Sequence, residues 1–389
     1  MQMDIKKEFL FPVIFLGCCV FTGILFGQEA ALVQTKDGWG YFRKDSSWII
    51  PPKFEDIELN SMSFEAVTPK NSLGYFSEGM VRYSDHGLWG YYNEHGELTI
   101  EAKFDGARDF SESLAAVRKV NKWGYINKKG EWVIQPLFSD ALSFLHGLAP
   151  VKSDGKWGYI NPAGNWVIKP EFSEALRFKE NYAAVKKGRF WGYINTKGEF
   201  VIKPSFTVAY NFKDGVARVE SGRFGFIDTL GKFIVPPDYF VVALFSDGYS
   251  RVRARDVCRY VNLKGVVVSK EDYQYAESFS EGAARVRPEY LWGFIDSEMN
   301  WLLKPQYDAT GDFKDGIAGV RKDGMWYYIN KKGELQFGRH FENCEDFNSG
   351  IARVKIDGRW GFLKQNGEWL FRPQFDNCED FHVISETLK

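Results

Sequence analysis

The stretch KWGYINKKGEWVIQP, Lys122 to Pro136, recurs with small changes along almost the whole chain. Aligned on the Trp of its Trp-Gly pair, the copies begin at Trp39, Trp89, Trp123, Trp157, Trp191, Phe224, Cys258, Trp292, Trp326 and Trp360, spaced 50, 34, 34, 34, 33, 34, 34, 34 and 34 residues apart. A fixed period of this size makes each copy one supersecondary unit, too small to bury its own apolar face, that stacks against its neighbours. The 389 residues therefore predict one array, where length alone suggests two or three domains.

Within a copy, the apolar runs Leu114 to Arg118, Trp123 to Ile126 and Trp132 to Ile134 predict three short strands in an antiparallel meander. Asn127-Lys128-Lys129-Gly130, with Asn first and Gly fourth, predicts a type I turn joining the last two. Pro136 has no N–H to give to a ladder and is expected to end the third strand. The spacing of Phe138, Ala141 and Phe144 suits one helical or 3₁₀ turn as the connector, after which Gly147 turns the chain into the next unit. The first interval exceeds the period by 16 residues (50 less 34), which predicts a loop insertion at about residues 58–72.

The fold class is thus all-β: about ten three-stranded units of 34 residues in an open, curved superhelix. A closed, propeller-like ring is the alternative, because half-units stand at both ends, Ala31 to Val33 and Phe381 to Leu388. Against it, three strands fall short of a four-stranded blade, and ten units exceed the usual four to eight or so. All 13 tryptophans fall in two columns of the register, and Phe224, Phe233 and Leu98 occupy the same columns elsewhere, so these are packing positions.

The pattern KWGYINKKGEWVI-x-P-x-F-x-x-A-x-x-F-x-x-G-L-A-x-V resembles the WG, or KWG, repeat family of bacterial proteins from about Ala31 onward. The resemblance implies a β-repeat array in an exported or envelope protein and carries no common catalytic residues. Departures from the pattern stand at Phe224, Cys258, Arg259, Met299 and Tyr327.

With 50 basic and 51 acidic residues the net charge is −1, so no global field directs the chain to nucleic acid or to an anionic membrane. The apolar run Phe9 to Phe26, preceded by Lys6 and Lys7, reads as a signal peptide over residues 1–27 or as an uncleaved membrane anchor, with the repeat array over 28–389. The expected location is the periplasm, the cell surface or the medium.

No nucleophile elbow, phosphate-binding loop, zinc helix or calcium loop is present in the sequence, and His86, His95, His146, His340 and His382 occupy unrelated register positions. No catalytic residue, metal or cofactor is expected. Two charged columns remain: a basic one of Arg82, Arg118, Lys152, Lys186, Arg253, Arg287, Arg321 and Lys355, and an acidic one of Glu78, Glu112, Glu180, Asp214, Asp247, Glu281 and Asp315. They read either as solvated faces that partly pair or as a stripe engaging an extended partner. Arg251, Arg253, Arg255, Arg285 and Arg287 form the densest group and are the candidate binding residues, with alternation placing the first three on one face of a strand. The expected role is a binding or scaffold module for a protein or anionic polysaccharide, the alternatives being a structural envelope component or a carbohydrate-active enzyme.

Cys344 and Cys378 sit in matching Phe-x-Asn-Cys-Glu-Asp-Phe contexts, in a slot that holds Ala107, Ala141 and Ala175 in other copies, so both read as small buried fillers. Thiol titration of denatured, non-reduced residues 28–389 should count three free thiols, and a count of one would show a disulfide.

Overall fold

The computed structural model describes residues 28–57 and 71–385. The apolar run Phe9 to Phe26 and most of the expected insertion lie outside these residues. The described chain folds into ten sheets, one per repeat, in sequence order around a ring, all antiparallel but for one added strand in the second. The ring is closed by Asn377–Ser385, which pairs antiparallel with Gln28–Thr35 (Ala30 opposite His382, Val33 opposite Cys378) and completes the first sheet. The open superhelix is thereby corrected: the two half-units are the halves of one blade, and their pairing leaves no free array end.

Blades are four-stranded, not three-stranded. In the third blade they are a short strand Gly106–Ala107, a buried strand Leu114–Lys119, the Trp-Gly strand Lys122–Asn127 and a Pro strand Trp132–Phe138. The missing strand is the connector, expected as a helical turn. Asp140–Ala141 lies against Lys152 and Val151, and the flanking Ser139 and Leu142 amides donate to the Lys152 and Pro150 carbonyls, so the segment is extended. Two-residue turns with positive φ at both centres join the short strand to the buried strand (Glu112 φ 53, Ser113 φ 66) and the buried strand to the Trp-Gly strand (Asp154 φ 49, Gly155 φ 75). Such turns match the twist of paired strands.

Pro136 does not stop its strand. The ladder slips by a bulge, with Tyr125 opposite Ile134 but Trp123 opposite Phe138, and the extra residues around Pro136 arch over Gly124. A Cβ on Gly124 would lie 2.5 Å from the Ile134 carbonyl oxygen and 2.8 Å from the Pro136 nitrogen. This close passage explains why Gly follows Trp and why Pro stands in the facing strand, and it accounts for two of the departures. Where Tyr327 replaces the glycine, the facing strand Leu335–Phe341 has no Pro and takes a different path through Phe337 (φ 63) and Gly338 (φ 57). Where Arg259 replaces it, the Pro strand is lost and the blade has three strands.

The insertion ends as a strand. Asn71–Ser77 takes the place of the short strand in the second blade, with Leu73 opposite Tyr83, and Asp56–Ile57 adds a parallel fifth strand outside it. The core is a series of aromatic and aliphatic clusters, each drawn from two successive repeats: Tyr125, Phe138, Phe144, Val151 and Ile160 share one. Trp39, Trp89, Trp157 and Trp191 of the first tryptophan column are buried, as packing positions should be, whereas the second column is half-buried at Trp48, Trp132, Trp301 and Trp369 and exposed at Trp166. Cys258, Cys344 and Cys378 are free and buried.

Replacing Gly124 by Ala should cost about 2–3 kcal/mol, because the bulged backbone cannot retreat without breaking its ladder. Urea unfolding of the two proteins checks this, and a loss below about 1 kcal/mol would mean that the bulge yields.

Candidate functional site

Polar side chains at recurring positions mostly reach forward to the backbone of the next blade. The tyrosine of the Trp-Gly strand donates its hydroxyl to a carbonyl 17 residues on: Tyr125 to Leu142 (2.7 Å), Tyr159 to Leu176 (2.8 Å), Tyr193 to Tyr210 (2.8 Å) and Tyr328 to Glu345 (2.6 Å). Burial raises the pKa of these hydroxyls, which keeps them protonated and donating. Ser111 donates to the Phe144 carbonyl and Ser280 to that of Phe313, each at 2.7 Å.

The acidic column belongs to the same framework. Its members sit in the positive-φ turns, and each of several carboxylates accepts amides of the equivalent turn one blade later: Glu78 from Glu112 and Ser113 (2.7 and 2.9 Å), Glu180 from Asp214 and Gly215 (2.6 and 3.0 Å), Glu281 from Asp315 and Gly316 (2.7 and 2.9 Å). The basic column lies opposite the Trp column and covers its rings, with Arg118 over Trp123 (5.8 Å), Lys152 over Trp157 (5.9 Å) and Lys355 over Trp360 (5.9 Å). The expected pairing of the two columns is therefore corrected: the acids cap turns and the bases shield indoles. Arg82 leaves the column, because it stands opposite Tyr91 rather than Trp89.

The five candidate arginines divide. Arg285 bonds Asp312 (2.7 Å) and the Thr310 carbonyl (2.5 Å) of the following blade, a framework contact that the sequence did not foreshadow. Arg251 lies 3.9 Å from Glu277. Arg253 and Arg287 hold the Trp-facing register, but Arg253 meets Cys258 in place of Trp, and Arg287 covers Trp292 (5.4 Å) and Tyr275 (4.0 Å). Arg255 lies past the strand end in a turn (φ 54), where its carbonyl accepts from Arg253 Nε at 3.3 Å, so only Arg251 and Arg253 share the strand face. On the short strands, Lys152 and Lys186 stand opposite Asp140 and Glu174, whereas Arg253 and Arg287 stand opposite Val241 and Tyr275, both exposed.

A WG containing repeat model matches residues 39–61, 89–123, 123–157, 157–189, 191–222, 224–257, 259–287, 292–326, 328–360 and 360–382. The chain belongs to the WG repeat family. No curated protein matches the WG-repeat chain in sequence. Among solved structures, a crystal structure of the eukaryotic initiation factor shares 12% identity over 82% of this chain and 97% of its own, with a TM-score of 0.49. Dihydro-heme d1 dehydrogenase NirN in complex with DHE shares 11% over 92% and 75% (TM-score 0.40). The extracellular domain of a hybrid two component system from B. thetaiotaomicron shares 8% over 90% and 58% (TM-score 0.29). At these values the likenesses carry no functional assignment.

An open, polar cavity of about 410 Å³ lies among the last repeats of the WG-repeat ring. Lys314, Glu345, Asp346, Phe347, Asn348, Arg353 and Asp380 line it, from three successive repeats. Asp380 is held by Arg353 at 2.6 Å. Asp346 accepts the Asp312 amide at 3.1 Å, and its carboxyl is pushed up to about 6, first by burial and then by the Asp312 charge, with Arg285 offsetting this only in part. Among the described residues no group of His, Cys, Asp and Glu could hold a metal ion.

A carboxyl raised in the folded state contributes stability in full below its ordinary pKa of 3.8 and loses it as pH rises through about 6. Asp346→Asn should therefore raise Tm at pH 7.5, with the gain fading as pH falls to 4. Thermal unfolding at both values checks this, and an equal Tm at pH 7.5 would mean that the charge is not strained.

Proposed function

We propose that the protein is an exported, non-enzymatic β-propeller that serves as a binding or scaffold module in the cell envelope, and that its partner is an anionic polysaccharide or an acidic protein surface. The observation that carries this is the composition of the seventh and eighth blades. Lys152 and Lys186 face carboxylates across the short strand, whereas Arg253, which has no tryptophan to cover, and Arg287, which also covers Trp292, stand beside exposed Val241 and Tyr275. Arg223 likewise covers exposed Phe240 at 4.2 Å. Cations beside exposed aromatic faces suit a ligand that offers negative charge together with apolar ring faces, as an acidic sugar chain does.

The carbohydrate-active reading draws on the cavity at Asp346, whose raised carboxyl would suit a general acid. The second carboxylate on that wall, Asp380, is bound to Arg353. The binding reading is therefore preferred, and structural service without a ligand is the outcome if no partner surface is found.

On an anionic polysaccharide matrix, retention of the full chain should fall as salt rises, because exposed charge contacts are screened. Arg253→Glu and Arg255→Glu should each weaken binding by more than removal of one exposed contact, which is worth roughly two- to fivefold. Arg287→Glu should do the same with some loss of stability, since it also uncovers Trp292. Unchanged retention of a folded variant carrying both Arg253→Glu and Arg287→Glu over the salt series would remove this surface from the argument.

A further inference from the structure

The position just before the connector Phe is aspartate in four repeats, Asp109, Asp312, Asp346 and Asp380. For three of them an arginine on the buried strand of the preceding blade crosses to the carboxylate: Arg82 to Asp109 (3.0 Å), Arg285 to Asp312 (2.7 Å) and Arg353 to Asp380 (2.6 Å). The same guanidinium donates through Nη1 to the carbonyl just upstream, that of Ala107 (2.9 Å), Thr310 (2.5 Å) or Cys378 (2.5 Å). Each of these three aspartates has its arginine, although the converse does not hold: Arg218 and Arg251 occupy the arginine position where the partner position is Leu244 or Ser278. Where the buried strand carries Ala116, Pro150 or Ala184, the partner position is Ser143, Arg177 or Asn211. Asp346 breaks the rule. The arginine position that should answer it is Gly319.

The Asp346 carboxylate lies on the wall of this cavity, and among the described residues neither Lys314 nor Arg353, which share that wall, forms an ion pair with it, while Arg285, whose charge acts on it, is paired with Asp312. Arg353 is already engaged by Asp380 and the Cys378 carbonyl. We propose that Asp346 and the Cys344 carbonyl form a binding site for the guanidinium group of a ligand, which takes the place that Arg82, Arg285 and Arg353 fill in their own blades. A planar guanidinium gives two parallel bonds to a carboxylate and still has donors for a carbonyl, and the three internal copies show that this backbone provides for that geometry. A cavity of about 410 Å³ accommodates an arginine-sized group. Free arginine and an arginine side chain of a peptide share this chemistry.

Calorimetric titration of the full chain with L-arginine, with Gly-Arg-Gly and with L-citrulline, the uncharged isostere, tests the site. Saturable binding of L-arginine or of the tripeptide is expected, tighter for whichever source the site serves, with citrulline at least tenfold weaker. Asp346→Asn keeps the shape and removes the charge, and should weaken binding at least tenfold. Gly319→Arg supplies the guanidinium from the chain itself and should compete the ligand out to the same extent. A Cβ at position 319 would lie 2.7 Å from Cys344 Sγ, so the cysteine must turn aside to admit it, and Arg353 and Cys378 occupy the equivalent pair of positions one blade on. Absence of binding by either arginine ligand, equal binding of citrulline, or undiminished binding to folded Asp346→Asn would each overturn the proposal.

Discussion

The ring depends on bonds that run from side chains of one blade to the backbone of the next. Tyr125, Ser111, Glu78 and Arg285 each stand for a column, and each reaches a carbonyl or an amide, Arg285 adding the Asp312 carboxylate. A backbone target is present in every repeat whatever its sequence. Each such bond is worth about 1 kcal/mol net, more where a charge takes part, and the larger contribution comes from the aromatic clusters that the bonds hold in register. Because the bonds point to main chain, a repeat can lose one contact and keep its place, as Phe226, Phe294 and Phe362 do in lacking the tyrosine hydroxyl while remaining buried.

That arrangement changes the meaning of the charged columns. A row of like charges at a fixed interval suggests a stripe offered to a partner, yet here it arises because one structural task recurs ten times. Information about binding lies instead where a repeat departs from its neighbours. Cys258 in a tryptophan position leaves Arg253 without a ring to cover, and Gly319 in an arginine position leaves Asp346 without an arginine of its own, only the Arg285 charge acting on it.

The repeat period, the strands around Trp123 and Trp132, the Asn127 turn and the packing role of tryptophan were all legible in the chain, because each rests on local pattern. Closure was legible only as the alternative suggested by the half-units at the two ends, since the pairing of Ala30 with His382 is a relation that no local window contains. The fourth strand was hidden for a different reason: Asp140–Ala141 is only two residues long, and the spacing of Phe138, Ala141 and Phe144 reads equally as a helical turn. Pro136 misled because the rule that proline stops a ladder holds for regular pairing and fails at a bulge. The cavity at Asp346 could have been found from the register alone, by asking which aspartate lacks its arginine.

The strand that closes the ring also sets a concentration dependence. Bringing residue 382 to residue 30 costs roughly 4 kcal/mol more loop entropy than closing a five-residue hairpin, so the latch is the last and least local step of folding. Until it forms, Gln28–Thr35 presents an unpaired edge, and Asn377–Ser385 is a ready-made strand of the right register for any copy of that edge. At high protein concentration a neighbouring molecule supplies the strand without the entropy of the long loop. The species to look for in a concentrated refolding mixture is accordingly a domain-swapped dimer, two rings exchanging their last strands, rather than a disordered aggregate.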